Sequence, residues 1–475
     1  MKKWSKVISI VLLVVLVSAS LFGCAGNKDT SSPTATPAGE GEKATEKPQE
    51  KPADIVLQPD QFKGKKVTIW QSYPDGDAAQ GARRRSLVEG IEEFNKLSGA
   101  QVEKIIMADD PDYIKKVVTS IAAGTGPDIV VVQPFDVPAW IFRKFLLPIS
   151  DYVDLTQDFL YGEQGLSKPT IERFTWNGKV YGVNGLEQSW RLYYNTEIFE
   201  ANGQPDPAEL YKKGQWTWDK FIEVAQALTL DTDGDGKMDI YGFSAFGADK
   251  AAIYSNGGSW TIFENGKPVF APDRPEVIEA IKFFKDFIPK YKIMPEQFWD
   301  PNPMTMFYDG KLAMMYWGAW EMNTMVQKMA GKFKIAPFPV GPNNKTGKSR
   351  DIGQASGLGI TTSSKNPDVA ATYLAWSFVT DPEQAKIARE LAIKNYGTED
   401  QYNLAIEITK NAYLEWDWPT LGDVIGKING ADAASVAQVA AEQKAAGQAI
   451  IDKTLSGEIF KEIEEKEKAE AEKKE

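Results

Sequence analysis

The chain has 475 residues, a formal net charge of -12 at pH 7, a single Cys and no His. Without histidine it cannot contain a Ser-His-Asp or Cys-His catalytic unit, a His-ligated zinc or haem site, or a histidine pH switch. The negative charge argues against a nucleic-acid partner, because neutralising phosphates requires clustered Lys and Arg, and at about 100–200 residues per domain the length predicts two or three lobes.

Residues 1–23 have the composition of a lipoprotein signal peptide. Three lysines precede a nearly uninterrupted apolar run over 7–22, which is shorter than the roughly 20 residues of a membrane span. The run ends in Leu-Phe-Gly-Cys, a sequence similar to the bacterial lipobox, so we expect cleavage before Cys24 and a lipid such as palmitate on its thiol. An uncleaved membrane anchor is the alternative. We therefore expect a lipid-anchored protein on the extracytoplasmic face of the bacterial cell membrane.

Two segments have compositions that do not favour a packed core. Residues 24–60 consist largely of Ser, Thr, Pro, Gly, Glu and Lys. Such a segment buries too little apolar surface to fold, so we predict a disordered tether. Residues 458–475 are a run of Glu and Lys, which predicts a charged tail, either a solvated helix or a frayed end.

The folded body begins with alternating strands and helices. Apolar runs predict strands at Val67–Trp70, Val102–Met107 and Asp128–Val132, and apolar stripes predict helices over 81–98 and 114–121. This βαβαβ order predicts a parallel, doubly wound sheet.

Ligands of such sheets lie beyond the carboxyl ends of the strands. At these ends the chain has Trp70 and Gln71, and then the turn from Gln133 to Asp136. We therefore predict that these residues bind the ligand.

Later segments repeat the α/β style without repeating the sequence. We predict helices over 218–228, with Thr217 as its N-cap, over 277–287 and from Asn366, and a strand over 312–316. The order indicates two α/β lobes, each a sheet flanked by helices and discontinuous in sequence. The predicted first lobe is 61–175 plus 342–398, and the predicted second lobe is 176–341 plus 399–457.

An acidic segment matches the calcium loop of EF-hands. The matching positions 1, 3, 5, 7 and 9 are Asp231, Asp233, Asp235, Lys237 (through its carbonyl) and Asp239. Position 12 is Gly242 rather than the usual bidentate Glu. The sequence therefore leaves two alternatives, a structural calcium site and a polar, glycine-rich surface loop, and it requires no other cofactor.

Several of the 14 tryptophans stand at predicted strand ends or crossovers. Flat indoles suit the apolar faces of sugar rings, and neighbouring polar side chains can bond the hydroxyls. Core packing is the alternative for any single tryptophan. Their collection at strand ends favours a ligand role for Trp70, Trp190, Trp260, Trp317 and Trp320.

Short motifs in a fixed order complete the pattern. They are Ala-Ala-Gly-Thr-Gly-Pro-Asp-Ile at 122–129, Gly-Lys-Val-Tyr-Gly-Val at 178–183, Tyr-Asn-Thr-Glu at 194–197, Thr-Trp-Asp-Lys-Phe at 217–221, Gly-Lys-Leu-Ala-Met at 310–314, Gly-Ala-Trp at 318–320 and Ser-Lys-Asn-Pro at 364–367. Over about residues 64–455 the chain resembles the extracellular solute-binding proteins, family 1, of carbohydrate ABC transporters, the family that includes maltose-binding protein.

The resemblance implies a type II periplasmic-binding-protein-like fold, a monomer whose two lobes close on a ligand and then dock on a membrane permease. It also implies that Gln133 to Asp136 is a sugar-contacting turn. Glu187, Gln188 and Trp190 would belong to the crossover that lines the cleft. Trp320 would stack on the sugar, with Trp317 as a second platform. Val132 stands where some relatives carry an aromatic residue, so the resemblance does not extend to maltose specificity.

The leading hypothesis is therefore a lipid-anchored receptor that delivers an oligosaccharide to an ABC importer, without catalysis. A binding protein for a peptide or polyamine is one alternative. A surface glycoside hydrolase is another, since Asp136, Glu187 and Glu321 could supply the two opposed carboxylates that hydrolysis needs.

Overall fold

The computed structural model describes residues 57–71, 87–107, 113–161, 165–184, 188–296, 302–354, 356–379 and 382–472. The strands in these ranges are β1 (Lys66–Gln71), β2 (Gln101–Ile106), β3 (Ile129–Val132), β4 (Leu146–Leu147), β5 (Thr175–Trp176), β6 (Lys179–Val180), β7 (Gln188–Asn195), β8 (Tyr241–Ala245), β9 (Thr261–Glu264), β10 (Lys267–Phe270), β11 (Leu312–Gly318), β12 (Phe333–Ala336), β13 (Gly353–Gln354) and β14 (Gly357–Thr361).

The helices are α1 (Leu87–Ser98), α2 (Tyr113–Ala122), α3 (Val137–Phe142), α4 (Lys168–Arg173), α5 (Thr196–Ala201), α6 (Pro207–Lys212), α7 (Trp218–Ala227), α8 (Ala248–Ser255), α9 (Pro275–Lys285), α10 (Pro303–Tyr308), α11 (Met322–Met329), α12 (Pro367–Ser377), α13 (Pro382–Tyr396), α14 (Glu399–Asn411), α15 (Leu421–Gly430), α16 (Val436–Ser456) and α17 (Glu458–Glu472). In the described ranges no helix combines the length and the hydropathy of a membrane span. The predicted signal peptide, Cys24 and the tether up to residue 56 lie outside those ranges.

The first lobe is built on a five-stranded sheet in the order β2-β1-β3-β14-β4. The parallel pairing of β1 with β2 and β3 confirms the predicted βαβαβ unit. The prediction of a parallel sheet fails at one strand, because β14 pairs antiparallel with β3, and β4 pairs antiparallel with β14 and so runs in the same direction as β1 to β3. The chain reaches β14 from the second lobe, so local periodicity does not determine its direction.

Helices cover this sheet with the predicted apolar stripes. Val117 and Val118 of α2 are buried, and Phe94 of α1 contacts Tyr373 of α12 edge-on, with ring centroids 5.2 Å apart. Asn366 precedes α12 as its N-cap residue, as predicted. The first-lobe core therefore combines segments that are nearly 300 residues apart in sequence, such as those of Phe94 and Tyr373.

The second lobe is built on a sheet in the order β12-β7-β11-β8, with β13 also paired to β7. All seven residues of β11 are buried, which explains why this strand is an uninterrupted apolar run. β8 runs parallel to β11, whereas β7 runs antiparallel to it. The amino end of β7 and the carboxyl ends of β8 and β11 therefore meet at one edge of the sheet.

Helix α7 starts as predicted. The Thr217 side chain accepts a hydrogen bond from the Lys220 backbone N–H and caps the helix. The ring of Trp218 stacks on Phe283 of α9, with centroids 3.9 Å apart. These contacts hold α7 and α9 together on one side of the second-lobe core.

The positions at which the chain passes from one lobe to the other differ from the predicted lobe boundaries. Val180 and Val183 lie in the first-lobe core, so the chain leaves that lobe after them rather than at residue 175. It returns between β13 and β14, because β13 pairs with β7 of the second lobe. It leaves again after α12, since Tyr396 of α13 bonds Arg191 of β7. Strand pairing across long sequence distances decides these boundaries.

The segment predicted as a charged tail forms α17, and its first turn is not solvated. Ile459 and Phe460 are buried in the first-lobe core, and the Arg143 guanidinium lies over the Phe460 ring. The preceding α16 packs in the second lobe, where Gln448 bonds the backbone of β10. The many charged residues around these two apolar side chains concealed the contact at the level of sequence.

Candidate ligand-binding site

The edge of the second-lobe sheet gathers a group of aromatic side chains. β11 ends at Trp317 and Gly318, and the strand pairing sets Gly318 opposite Trp190 of β7. Phe246 follows directly after the parallel neighbour β8. We call the aromatic residues assembled here the platform group, which consists of Trp190, Phe246, Tyr316, Trp317 and Trp320.

The platform group is a connected set of rings with two exposed members. Trp190 lies at its centre, with its ring centroid 5.2 Å from that of Trp320, 5.9 Å from that of Phe246 and 6.0 Å from that of Trp317. Trp190 and Trp317 are buried, whereas Trp320 is 40% exposed and Phe246 48% exposed. Trp320 and Phe246 are therefore partly exposed at the surface of the group, while the buried rings beneath hold them in place.

Gly318 makes room for one of these exposed rings. A Cβ at this position would lie 1.9 Å from the Trp320 indole, far inside van der Waals contact. The indole of Trp320 therefore folds back over a backbone position that only glycine can occupy.

The first lobe has strand ends of its own that carry predicted ligand-binding residues. Trp70 and Gln71 end β1, and the turn from Gln133 to Asp136 follows the parallel strand β3, so both lie at the same sheet edge. Phe135 in this turn is exposed. Trp70 is half-buried against the first-lobe core. The structure thus brings these predicted residues together within the first lobe.

Asp136 is an unusual carboxyl group. Its Oδ2 atom is buried, and no donor in the described ranges bonds it. Burial, together with the charge of Asp417 from the other lobe, raises the pKa of Asp136 to about 7. The group therefore exchanges a proton near neutral pH and has a free position for a hydrogen-bond partner.

Charged residues from both lobes meet beside Asp136. Lys250 of α8 donates to Asp417 over 3.1 Å, and Nη2 of Arg173 lies 3.6 Å from the other oxygen of Asp417. The Tyr254 hydroxyl donates to buried Glu415 over 2.5 Å. Burial raises the pKa of Glu415 to about 7. We call Asp136, Arg173, Lys250, Glu415 and Asp417 the interlobe ion cluster.

A second set of aromatic residues lies next to this cluster. It joins Phe142 of α3 and Trp176 of β5 to Trp416 and Trp418, which follow α14. The ring centroids of Trp176 and Trp416 are 5.6 Å apart, and those of Trp416 and Trp418 are 5.4 Å apart. These four residues, the interlobe aromatic group, pack first-lobe elements against the segment that precedes α15.

Three predicted ligand-binding residues are found neither in the platform group nor at the strand ends of the first lobe in the described structure. Trp260 is only 1% exposed and packs on Phe270, so its ring faces are covered. Gln188 pairs with Gln354 through the backbone of β7, and Glu187 lies outside the described residues. A ligand role for these positions stays a prediction.

Sequence reasoning missed several residues of the site. Phe246 could have been found by the rule used for Trp70, because it follows a strand directly. The interlobe residues Arg173, Lys250 and Asp417 have no local pattern that marks them, since they meet only after the lobes assemble. The acidic and aromatic alternation at 415–418 was the one visible indication.

The predicted calcium loop, residues 231–239, is largely exposed. Carboxylate oxygens of Asp231, Asp233 and Asp239 lie within 4.8 Å of one another. Hydrogen bonds from Thr232 lower the pKa of Asp239, which keeps it ionised. Gly242, the twelfth position, lies in β8, where a Cβ would meet the Ala225 carbonyl at 1.9 Å. Helix packing therefore excludes the glutamate of an EF-hand, and Asp235 stands outside the converging set.

Comparison with known proteins gives the family. Residues 89–414, more than half of the chain, match the model of the bacterial extracellular solute-binding proteins. The chain belongs to this family. Membership implies an extracytoplasmic location, and the relatives named below are binding proteins rather than enzymes.

Relatives of this solute-binding protein match it over most of its length. It is 24% identical over 346 residues to a maltotriose-binding protein of Pyrococcus abyssi, which covers 69% of this chain and 70% of the relative. An ABC transporter solute-binding protein from Thermotoga lettingae, bound with α-D-tagatose, is 20% identical with a TM-score of 0.59, over 82% of this chain and all of that one.

A third relative is the galacto-N-biose/lacto-N-biose I-binding protein of an ABC transporter from Bifidobacterium longum, in complex with lacto-N-biose. It has a TM-score of 0.60 and 18% identity, and the match covers 82% of this chain and 97% of that one. At these identities the structural matches show the two-lobed fold.

Proposed function

We propose that this solute-binding protein captures a sugar, specifically an oligosaccharide, and delivers it to the permease of an ABC importer. The platform group carries the proposal. Two partly exposed aromatic side chains, Trp320 and Phe246, pack on buried rings at the edge of the second-lobe sheet. Such faces complement the C–H surfaces of pyranose rings.

The first lobe supplies polar chemistry to the same ligand. We expect a sugar hydroxyl to become the hydrogen-bond donor for Oδ2 of Asp136, which has no partner in the described structure, once the lobes move and uncover this atom. With its pKa raised to about 7, Asp136 can also donate to a hydroxyl when it is protonated. Contacts from both lobes at once would favour the closed arrangement, which is how binding drives closure.

The relatives support a carbohydrate rather than a peptide or polyamine. The curated relative from Pyrococcus abyssi binds maltotriose by name, and the structural relatives hold tagatose and lacto-N-biose. Two exposed rings in one group favour more than one sugar unit. Attachment of lipid at Cys24 would keep the receptor close to its permease.

A calorimetric and thermal-shift screen of the purified protein tests the proposal. The panel contains mono- and oligosaccharides, with peptides and polyamines as separate arms. A ligand at 100 times its dissociation constant should stabilise the protein by about 2.7 kcal/mol. A response only to peptides or amines would replace the sugar hypothesis, and release of reducing sugar during incubation would replace binding with hydrolysis.

We also propose a structural calcium ion in the acidic loop, held by Asp231, Asp233 and Asp239. Three carboxylates so close together repel one another unless a cation lies among them. We expect calcium to raise the melting temperature by a few degrees relative to chelator and Asp233→Asn to abolish the difference. Equal melting temperatures in both conditions would assign the segment to an ordinary surface loop.

A further inference from the structure

Arg173 is almost completely buried and bonds elements of both lobes. It is the last residue of α4, and its side chain is 1% exposed. Nη2 donates to the carbonyl of Pro134 in the first-lobe turn, while Nη1 donates to the carbonyl of Glu415 in the segment after α14. One guanidinium therefore joins two stretches that are almost 300 residues apart.

The contact is reciprocal along the second stretch. The indole N–H of Trp416 donates to the Arg173 carbonyl over 2.9 Å. The next residue, Asp417, places a carboxylate oxygen 3.6 Å from Nη2. Arg173 thus touches three consecutive residues, through its backbone and its side chain.

The geometry of these bonds requires arginine. A guanidinium presents several N–H donors in a fixed plane, whereas a lysine ammonium is a compact charge on a flexible stem. A lysine at 173 could keep the positive charge but could not reach the carbonyls of Pro134 and Glu415 in the same fixed geometry.

The two stretches carry opposed carboxyl groups of the proposed site. Asp136 follows Pro134 by two residues, and Asp417 follows Glu415 by two. Burial, and secondarily the charge of Asp417, raises the pKa of Asp136. Arg173 and Lys250 offset the charge of Asp417, and Arg173 also bonds the carbonyls that stand two residues before each carboxyl group.

We propose that Arg173 is a positioning residue for ligand binding, which holds the turn from Gln133 to Asp136 and the segment from Glu415 to Asp417 in one geometry across the two lobes. This inference rests on the proposed sugar-binding function. It assigns a role to a residue that need not contact the ligand.

Hydrogen-exchange mass spectrometry of the ligand-free full chain tests the positioning role without any knowledge of the ligand. We expect Arg173→Lys and Arg173→Met to raise amide exchange both in 133–137 and in 413–418, one stretch in each lobe. Arg274→Met is the matched control, because Arg274 pairs with Glu276 at the surface of the second lobe. Unchanged exchange in either stretch would overturn the proposal.

Binding of the sugar found in the screen provides the second readout. Loss of a charge-assisted bond predicts at least about tenfold weaker binding by Arg173→Met, with Arg173→Lys in between. Partial recovery of affinity in Arg173→Lys, which restores the charge without the fixed donor geometry, distinguishes positioning from a general loss of structure. Wild-type affinity in a folded Arg173→Met variant contradicts the inference.

A milder variant keeps the test valid if Arg173→Met does not fold. Trp416→Phe retains an aromatic ring but removes the N–H that bonds Arg173. It should raise exchange in 413–418 alone. Absence of sugar binding by the wild type would refute the proposed function, whereas exchange in the two stretches would still decide the role of Arg173.

Discussion

The platform group and the interlobe aromatic group use the same residue types in opposite ways. In the platform group, buried Trp190 supports Trp320 and Phe246, which expose about half of their surface. In the interlobe aromatic group, Trp416 and Trp418 are buried between elements of both lobes. One set presents ring faces outward, and the other uses them as packing between lobes.

The difference shows that the surroundings of an aromatic residue, rather than its type, indicate its role. The indole N–H of Trp416 donates to the Arg173 carbonyl, and its ring packs against neighbouring aromatic rings. Trp320 lies over Gly318 and is 40% exposed. The two groups therefore make separable predictions, one for stability and one for affinity.

The largest effect is expected for Trp416→Ala. Removing a buried indole from the interlobe aromatic group should lower the free energy of unfolding by about 3–5 kcal/mol, through lost burial and the cavity left behind. Chemical denaturation monitored by circular dichroism measures this. A loss below 1 kcal/mol, as for an exposed residue, would show that Trp416 does not pack the lobes together.

Trp320→Ala should have the reverse profile. We expect affinity for the sugar to fall by about thirtyfold, in line with about 2 kcal/mol for an aromatic hot spot, with little change in unfolding. Calorimetry of Trp320→Ala against the wild type measures the affinity, and chemical denaturation of Trp320→Ala beside Trp416→Ala measures the difference in stability. A destabilised Trp320→Ala with unchanged affinity would remove the distinction between the two groups.

The buried carboxyl groups between the lobes, Asp136 and Glu415, predict that stability depends on pH. The pKa values of Asp136 and Glu415 are raised to about 7, above values near 4 in an unfolded chain. Between about pH 4 and pH 7, these two carboxyl groups bind protons in the folded state that they release in the unfolded state. Stability should therefore fall as pH rises, by up to about 1.4 kcal/mol per pH unit per group.

Denaturation between pH 5 and pH 8 measures this slope. Asp136→Asn should flatten it, and Asp400→Asn, which changes an exposed carboxylate, should leave it as in the wild type. Identical slopes for all three proteins would show that Asp136 titrates normally.

The smallest effect is expected for Gly318→Ala. The added methyl group would collide with the Trp320 indole, so the ring must move away and present its face differently. We expect affinity to fall about fivefold, roughly 1 kcal/mol, although residue 318 need not touch the sugar. Unchanged affinity would mean that the position of Trp320 is not set by its contact with Gly318.

Much of the fold could be predicted from local sequence. Periodic apolar residues marked β1, β3, α2 and α7, and Thr217 marked the start of α7. The same rule about strand ends found Trp317 and Trp320. It would have found Phe246 too.

The remainder depends on contacts that no local pattern records. Arg173, Lys250 and Asp417 come from three separate segments and meet only when the lobes assemble. The direction of β14 follows from a crossing between lobes. Ile459 and Phe460 were hidden among charged residues, because composition averages over a helix while burial acts on one face of it.

The helix that contains Ile459 and Phe460 has a consequence for the order in which the molecule folds. Strands β1 to β3 emerge early during synthesis, but β14, α12 and α17 complete the same lobe only after residue 356. Loops this long slow the search for native contacts. The lobe that begins first is thus finished last, and until α17 arrives the side chains around Trp140 stay uncovered and prone to association with other chains.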